Sequence, residues 1–148
     1  MAKLRRRRRG RVGGTLVLDA EGLVKLASGH PLAVSLAQDT YRAQAEIVTS
    51  ASTLAEVLRG GPKDAPVHRV LGRVTIVPIE EEQGRTAGEL LGRTGLSGRR
   101  CALDALLATV ALAQPRPVIL LTSDTEDMRR LTEEPGRRRA ERVEVARI

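Results

Sequence analysis

The chain contains no Phe and no Trp, and Tyr41 is its only aromatic residue. A core must therefore be built from Leu, Val, Ile and Ala, and base stacking on aromatic platforms is nearly excluded as a way of binding single strands. The only cysteine, Cys101, cannot form an internal disulfide and lies in an apolar run, so it reads as a small core residue of a reduced, cytosolic protein. His30 and His68 are the only histidines, and 38 residues separate them, which matches no zinc spacing. Lysine is scarce as well. Lys3, Lys25 and Lys63 stand against 22 arginines, and none follows a late strand as a phosphorylatable receiver-like domain requires. The stretch "GRVGG" lacks the Lys-Ser/Thr pair of a phosphate loop. No apolar run approaches the roughly 18–20 residues that span a bilayer. A secretory signal is not expected either, because only "TLVL" separates the basic start from Asp19 and Glu21.

What remains is an ordinary amount of apolar material, 41% of 148 residues, which suits one domain. A chain of that size buries roughly 70% of the surface its unfolded form exposes. The formal charge of +7 is unevenly placed. Residues 1–11 hold seven cations and no acid, while the rest of the chain carries 18 charges of each sign. The segment 1–14, "MAKLRRRRRGRVGG", reads as a disordered basic arm ahead of a domain at 15–148. Such an arm binds phosphates with salt-sensitive, sequence-independent affinity, or is a dispensable leader translated from an upstream start codon.

Past the arm, short apolar strands alternate with helices. "TLVLD" (15–19), "EIVTS" (46–50), "VTIVP" (74–78), "PVILLTS" (117–123) and "RVEVARI" (142–148) read as strands. Helical patterns fill the intervals, among them "EGLVKLASG", 32–45, "ASTLAEVLRGG" stopped by Gly60 and Gly61, and "CALDALLATVALAQ". This alternation argues for an α/β sandwich around a mainly parallel sheet.

Four acids sit awkwardly in that pattern. Asp19 ends the first strand, at the edge where open α/β sheets bind ligands, although a helix cap would also account for it. Asp104 is the only charge between Cys101 and Pro115, in a helix apolar nearly all round. A buried carboxylate there needs neutralisation, hydrogen bonds or a metal, with a first-turn dipole contact as a partial alternative. Glu56 either completes a capping box with Thr53 or lies inside a helix that starts near residue 50. Asp124 follows "VILLTS" as a possible N-cap, with Ser123 and Glu126 offering a rival capping box, and Asp127 stands one turn further on. Clustered carboxylates repel unless cations lie between them, and oxygen ligands without His or Cys point to Mg²⁺ or Mn²⁺. Arg59, one turn from Glu56, is expected to pair with it. Arg99 and Arg100, ahead of the Asp104 helix, suit RNA phosphates or an acidic partner. Glu21 reads as a plain first-turn helix acid.

"LVLDAEGL", "TLAEVLRGG", "LDALLATVAL" and "LLTSDTEDM", in that order over residues 15–148, resemble a PIN domain and, more closely, the VapC-type toxins of bacterial type II toxin–antitoxin pairs. The resemblance implies a three-layer α/β/α sandwich and a metal-dependent ribonuclease using Mg²⁺ or Mn²⁺. Its acidic quartet falls on Asp19, Glu56, Asp104 and Asp124, with Asp19, Asp104 and Asp124 as the direct metal ligands. Thr122 becomes a supporting hydroxyl, and Asp127 an auxiliary ligand or a substitute for Asp124. It also implies an RNA substrate, a cytoplasmic homodimer and a cognate antitoxin whose tail covers the acids. One departure is Met128, where the family often carries an aromatic residue.

The competing function is a nucleic-acid-binding module that holds its target through the arm and has no catalysis. Deleting residues 1–11 separates the two. On the nuclease reading, the truncated protein binds RNA more weakly in a filter assay yet cleaves it at an undiminished rate.

Overall fold

Every segment read as a strand joins one sheet in the computed structural model, which describes residues 13–148; the arginine-rich arm, apart from Gly13 and Gly14, lies outside the described residues. The strands are β1 (Thr15–Leu18), β2 (Glu46–Ser50), β3 (Thr75–Val77), β4 (Val118–Thr122) and β5 (Glu144–Arg147). Their spatial order is β3-β2-β1-β4-β5, and each pairing is parallel. The sheet is therefore wholly parallel, and strands buried on both faces explain the near-continuous apolar runs.

Among the described residues seven α-helices cover it: α1 (Ala20–Ala27), α2 (Pro31–Arg42), α3 (Ala51–Val57), α4 (Ala65–Leu71), α5 (Glu81–Thr94), α6 (Gly98–Leu112) and α7 (Thr125–Leu131). The strand period of two sends alternate side chains to opposite layers. Leu16, Leu18, Ile47 and Leu121 face Leu23 of α1, Ala33 and Ala37 of α2, and Val67 of α4. Val17, Val48, Val118 and Leu120 face α5, α6 and α7 through Leu90, Ala105, Leu107, Ala108, Met128 and Leu131. The three-layer α/β/α sandwich follows. Met128 is fully buried in the second layer, so the missing aromatic is a matter of packing. Tyr41 belongs to neither core and is 41% exposed, which leaves both layers wholly aliphatic.

Chain order places the site. From β1 the chain steps outward to β2 and β3, then returns through α5 and α6 to lay β4 against the other side of β1. The direction of winding reverses between β1 and β4, and the crevice above their carboxyl ends is where such sheets bind ligands. Two glycines permit the close approach of these strands. Gly14 has φ +76°, and a Cβ there would lie 2.2 Å from the Pro117 carbonyl oxygen. At Gly22, in the first turn of α1, a Cβ would lie 3.0 Å from the Leu121 carbonyl oxygen.

Leu18 is fully buried beside this crevice. Leu18→Ala is expected to lower the unfolding free energy by about 2–5 kcal/mol, read from urea denaturation with an unchanged m value.

Candidate functional site

Asp19 is the residue at which β1 becomes α1. It is the N-cap of α1, as the helix-cap reading expected, and it also faces the crevice. Its Oδ1 accepts the Gly22 amide at 2.6 Å and its Oδ2 accepts the Ser123 amide at 3.3 Å. The Thr122 hydroxyl donates to the same carboxylate. The side chain is only 8% exposed. Burial pushes its pKa up, the three donors hold it back, and the balance remains raised.

Two residues from the end of β4, Asp124 is the N-cap of α7, its Oδ1 accepting the Asp127 amide at 3.3 Å. The rival cap from Ser123 is not formed; Ser123 turns its amide to Asp19 instead. Thr122, fully buried, accepts the Asp124 amide on Oγ1 at 3.0 Å while donating to Asp19, so one hydroxyl joins both acids. Asp127 lies beside Cys101, whose thiol is 3.8 Å from its Oδ2.

Glu56 gains a reason for its position. Ser50 caps α3, accepting the Ser52 amide at 3.1 Å, which places Thr53 inside the helix and removes the Thr53–Glu56 capping box. Glu56 therefore projects from the helix interior into the crevice, exposed at its rim. Its pKa is raised by burial, then by the charges of Asp104 and Asp19. The expected pairing with Arg59 is replaced by another arrangement. The Arg59 guanidinium donates to the carbonyls of Ala55, Glu56 and Leu58, capping the end of α3. Asp64, unremarked in the sequence, then fixes the following turn by accepting the Arg59 and Gly60 amides at 2.8 and 2.7 Å.

Asp104 is also relocated relative to its helix. α6 begins at Gly98 instead of Cys101, so Asp104 lies beyond the first turn and the dipole contact does not account for it. It is partly buried, and desolvation together with Asp124, Asp19 and Asp127 pushes its pKa up to about 6. Arg99 and Arg100 occupy the exposed first turn of this helix.

Asp19, Glu56, Asp104 and Asp124 thus line one cleft of about 260 Å³, with Leu103 and Leu107 in its wall. A fifth acid, Glu21, lines it too, and Lys25 pairs with Glu21 at 3.7 Å. Sequence spacing hid Glu21 because a first-turn acid is ordinary; only its place two residues after Asp19 hinted otherwise. Among the described residues, no three Asp, Glu, His or Cys side chains already close on a single metal-sized point. The acids ring the cleft. Their donor set, oxygen alone, and the pKa values of Glu56 and Asp104, raised by burial and then by neighbouring carboxylates, suit a hard cation.

Without a cation this repulsion costs stability. A carboxyl raised from 3.8 to about 6 on folding contributes stability below about pH 3.8 and loses it as pH rises through about 6. Asp104→Asn in the presence of a chelator is therefore expected to raise the melting temperature near neutral pH, by about 2–4 °C if screening leaves about 1 kcal/mol. The advantage should shrink as the pH is lowered through about 6, measured by thermal denaturation across pH.

Comparison with known proteins places this geometry. The chain shares its fold with the solved structure of VapBC2 from Rickettsia felis bound to a DNA fragment from their promoter, at TM-score 0.65 and 18% identity over 90% of this chain and 98% of that one. A toxin–antitoxin complex from Klebsiella pneumoniae aligns at TM-score 0.56 and 23% identity over 76% and 88% of the two chains. FitAB bound to an IR36 DNA fragment aligns at TM-score 0.55 and 16% identity over 89% and 94%. Identities this low speak for the fold alone. No curated protein matches the sequence. The PIN domain family, however, matches residues 16–134, from the strand that delivers Asp19 to the turn beyond Asp127, and the chain belongs to that family.

Proposed function

We propose that the protein is a metal-dependent endoribonuclease, a VapC-like toxin restrained by a cognate antitoxin protein. One observation carries the reading. Asp19, Glu56, Asp104 and Asp124 come from the end of β1, from α3, from α6 and from the start of α7, and they meet in one cleft at the switch point. No structural need of the fold calls for that many carboxylates in one place, and the raised pKa values of Asp19, Glu56 and Asp104 register the cost.

Asp19, Asp104 and Asp124 are the residues that would hold Mg²⁺ or Mn²⁺, with Asp127 in reserve. Such an ion, when bound, activates water toward a phosphodiester and offsets charge on the leaving oxygen. The chain's own contribution is orientation. Asp19 cannot swing, because Gly22, Thr122 and Ser123 hold both of its oxygens. Thr122 keeps the Asp124 backbone in register with it. Glu56, unanchored at the rim, is placed to orient the attacking water. Arg99 and Arg100 stand at the exposed start of α6, where guanidinium groups suit RNA phosphates or an acidic antitoxin segment.

The structural neighbour from Klebsiella pneumoniae, whose name describes a toxin–antitoxin complex, supports an antitoxin partner, and the same reading extends to a homodimer in the cytoplasm. No helix among the described residues is long and apolar enough to cross a membrane. The binding-only alternative rests on the arm and leaves the four convergent acids without a purpose.

Purified protein with Mn²⁺ or Mg²⁺ should cleave RNA, and a chelator should stop it. Asp19→Asn or Asp104→Asn should lower the rate by about 100-fold or more, since losing a ligand exceeds the usual cost of losing its supporting partner. Expression of the parent, but not of Asp104→Asn, should arrest growth. RNA left intact by the parent with either metal would overturn the nuclease reading.

A further inference from the structure

We infer that Arg147 is a positioning residue for the acidic cleft, clamping from the outside the loop that braces Asp19 and presents Asp124. The inference rests on the nuclease reading for its kinetic consequence, and on the hydrogen-bond geometry alone for the rest.

β5 is one of the sheet's two edge strands and, among the described residues, pairs with β4 alone, in a register that sets Arg147 opposite Thr122. The Ile148 amide donates to the Thr122 carbonyl at 3.0 Å, so the backbone ladder reaches the last residue of β4 and stops there. The Arg147 side chain extends the hold beyond the ladder. Its Nη1 donates to the Ser123 carbonyl at 3.2 Å, and its Nη2 donates to the Thr125 hydroxyl at 2.9 Å. Thr125 is buried, 3% exposed, whereas Arg147 lies at the surface.

These contacts meet the functional loop from behind. Residue 123 offers its carbonyl to Arg147 and its amide to the Asp19 carboxylate, so the same peptide segment is gripped from both sides. Between the two gripped residues stands Asp124, whose amide is held by Thr122. A planar guanidinium suits this task because it can direct two N–H groups at a carbonyl and a hydroxyl in fixed relative orientation. An ammonium donates from one nitrogen and lacks the fixed spacing of the two guanidinium nitrogens that reach the separate acceptors. Arg147 touches neither metal-binding oxygen nor reacting atom, and its effect passes through Ser123 and Thr125.

The test compares Arg147→Ala and Arg147→Lys with the parent, using Arg138→Ala as a control that removes one exposed positive charge. Three quantities are read: Mn²⁺ affinity by calorimetry, hydrogen exchange of the Ser123 amide, and steady-state cleavage of an RNA oligonucleotide. Loss of the clamp should weaken Mn²⁺ binding by about 10-fold and lower kcat by about 10-fold or more, within the range of supporting residues around a metal site. KM should stay within about 2-fold, Ser123 should exchange faster, and lysine should fail to restore either kcat or Mn²⁺ affinity.

Unchanged kcat with raised KM and a salt slope shallower by about 0.7 would make Arg147 a direct phosphate contact and overturn the proposal. Full recovery by lysine would reduce the role to charge and overturn it too. So would a lower melting temperature with Mn²⁺ affinity, exchange and kcat intact, the mark of a purely structural residue. If the parent cleaves no RNA, the nuclease reading fails, while Mn²⁺ affinity and Ser123 exchange still decide the clamp.

Discussion

The carboxylate of Asp19 is the joint on which the rest of the site depends. Three donors from two separate stretches of chain converge on it: the Gly22 amide from α1, and the Ser123 amide and Thr122 hydroxyl from the exit of β4. Bonds to an ionised acceptor are stronger than those between neutral groups, and here they tie together neighbouring strands whose paired residues are 103 apart in sequence. The joint is tight enough to dictate a neighbour. At position 22 a side chain would press on the Leu121 carbonyl at 3.0 Å and on the Asp19 carboxylate at 3.3 Å, so glycine stands there. A single acid thus caps a helix, sets the spacing of β1 and β4, and presents a negative charge to the cleft. The structural and functional readings of Asp19 are the same geometry seen from two sides.

The remaining acids show what that geometry is built to receive. Glu134 provides the contrast within this molecule. Burial works against its ionisation as it does for Asp104, yet Arg116 binds it through both oxygens at 2.7 Å and, with Arg137, holds its carboxyl below the usual range. Asp104 is desolvated too, but its charged neighbours are Asp124, Asp19 and Asp127, and its carboxyl is pushed up to about 6. The fold pairs a buried acid with arginine where only stability is at stake. In the cleft it surrounds acids with acids. The repulsion that results is a standing cost to the folded state, and on the nuclease reading a divalent cation is the species that would reverse its sign.

Much of this was legible in the sequence, for identifiable reasons. Strand and helix order follow from uninterrupted apolar runs such as "VILLT" and from glycine stops, and both are local signals. Asp104 could be singled out because one charge in an apolar helix breaks the pattern around it. Local signals fail where two of them compete. Thr53 and Glu56 have the spacing of a capping box, but Ser50 lies upstream and captures the cap, which shifts Glu56 into the helix interior. α6 starts three residues earlier than its apolar run because Arg99 and Arg100, good helix formers, extend it with no hydrophobic mark. Arg59 turned to backbone carbonyls, since the end of a short helix leaves acceptors closer than any side chain. Glu21, set aside as a first-turn helix acid, and Arg147, not singled out at all, were missed for another reason. Their significance lies in which distant segment they face, Glu56 and Asp104 for the one and the 123–125 loop for the other, and no spacing along the chain encodes that.

The distribution of charge raises a last question, how a cleft ringed by carboxylates could admit a polyanion. Outside residues 1–11 the positive and negative charges of the chain balance, so the domain as a whole exerts no net pull on RNA. Attraction must come from local asymmetry. Five acids face one cleft, and Arg99 and Arg100 are exposed at the start of α6, the helix that carries Asp104. For the phosphates of RNA, on the nuclease reading, these two guanidinium groups would offset the repulsion of the acids. On the nuclease reading, a divalent ion is then required twice over. It activates the water, and it removes the electrostatic barrier that the ligands themselves raise against the scissile phosphate. On that reading the same carboxylates that make an empty cleft repel RNA make a filled one receive it, and metal occupancy governs access as well as chemistry.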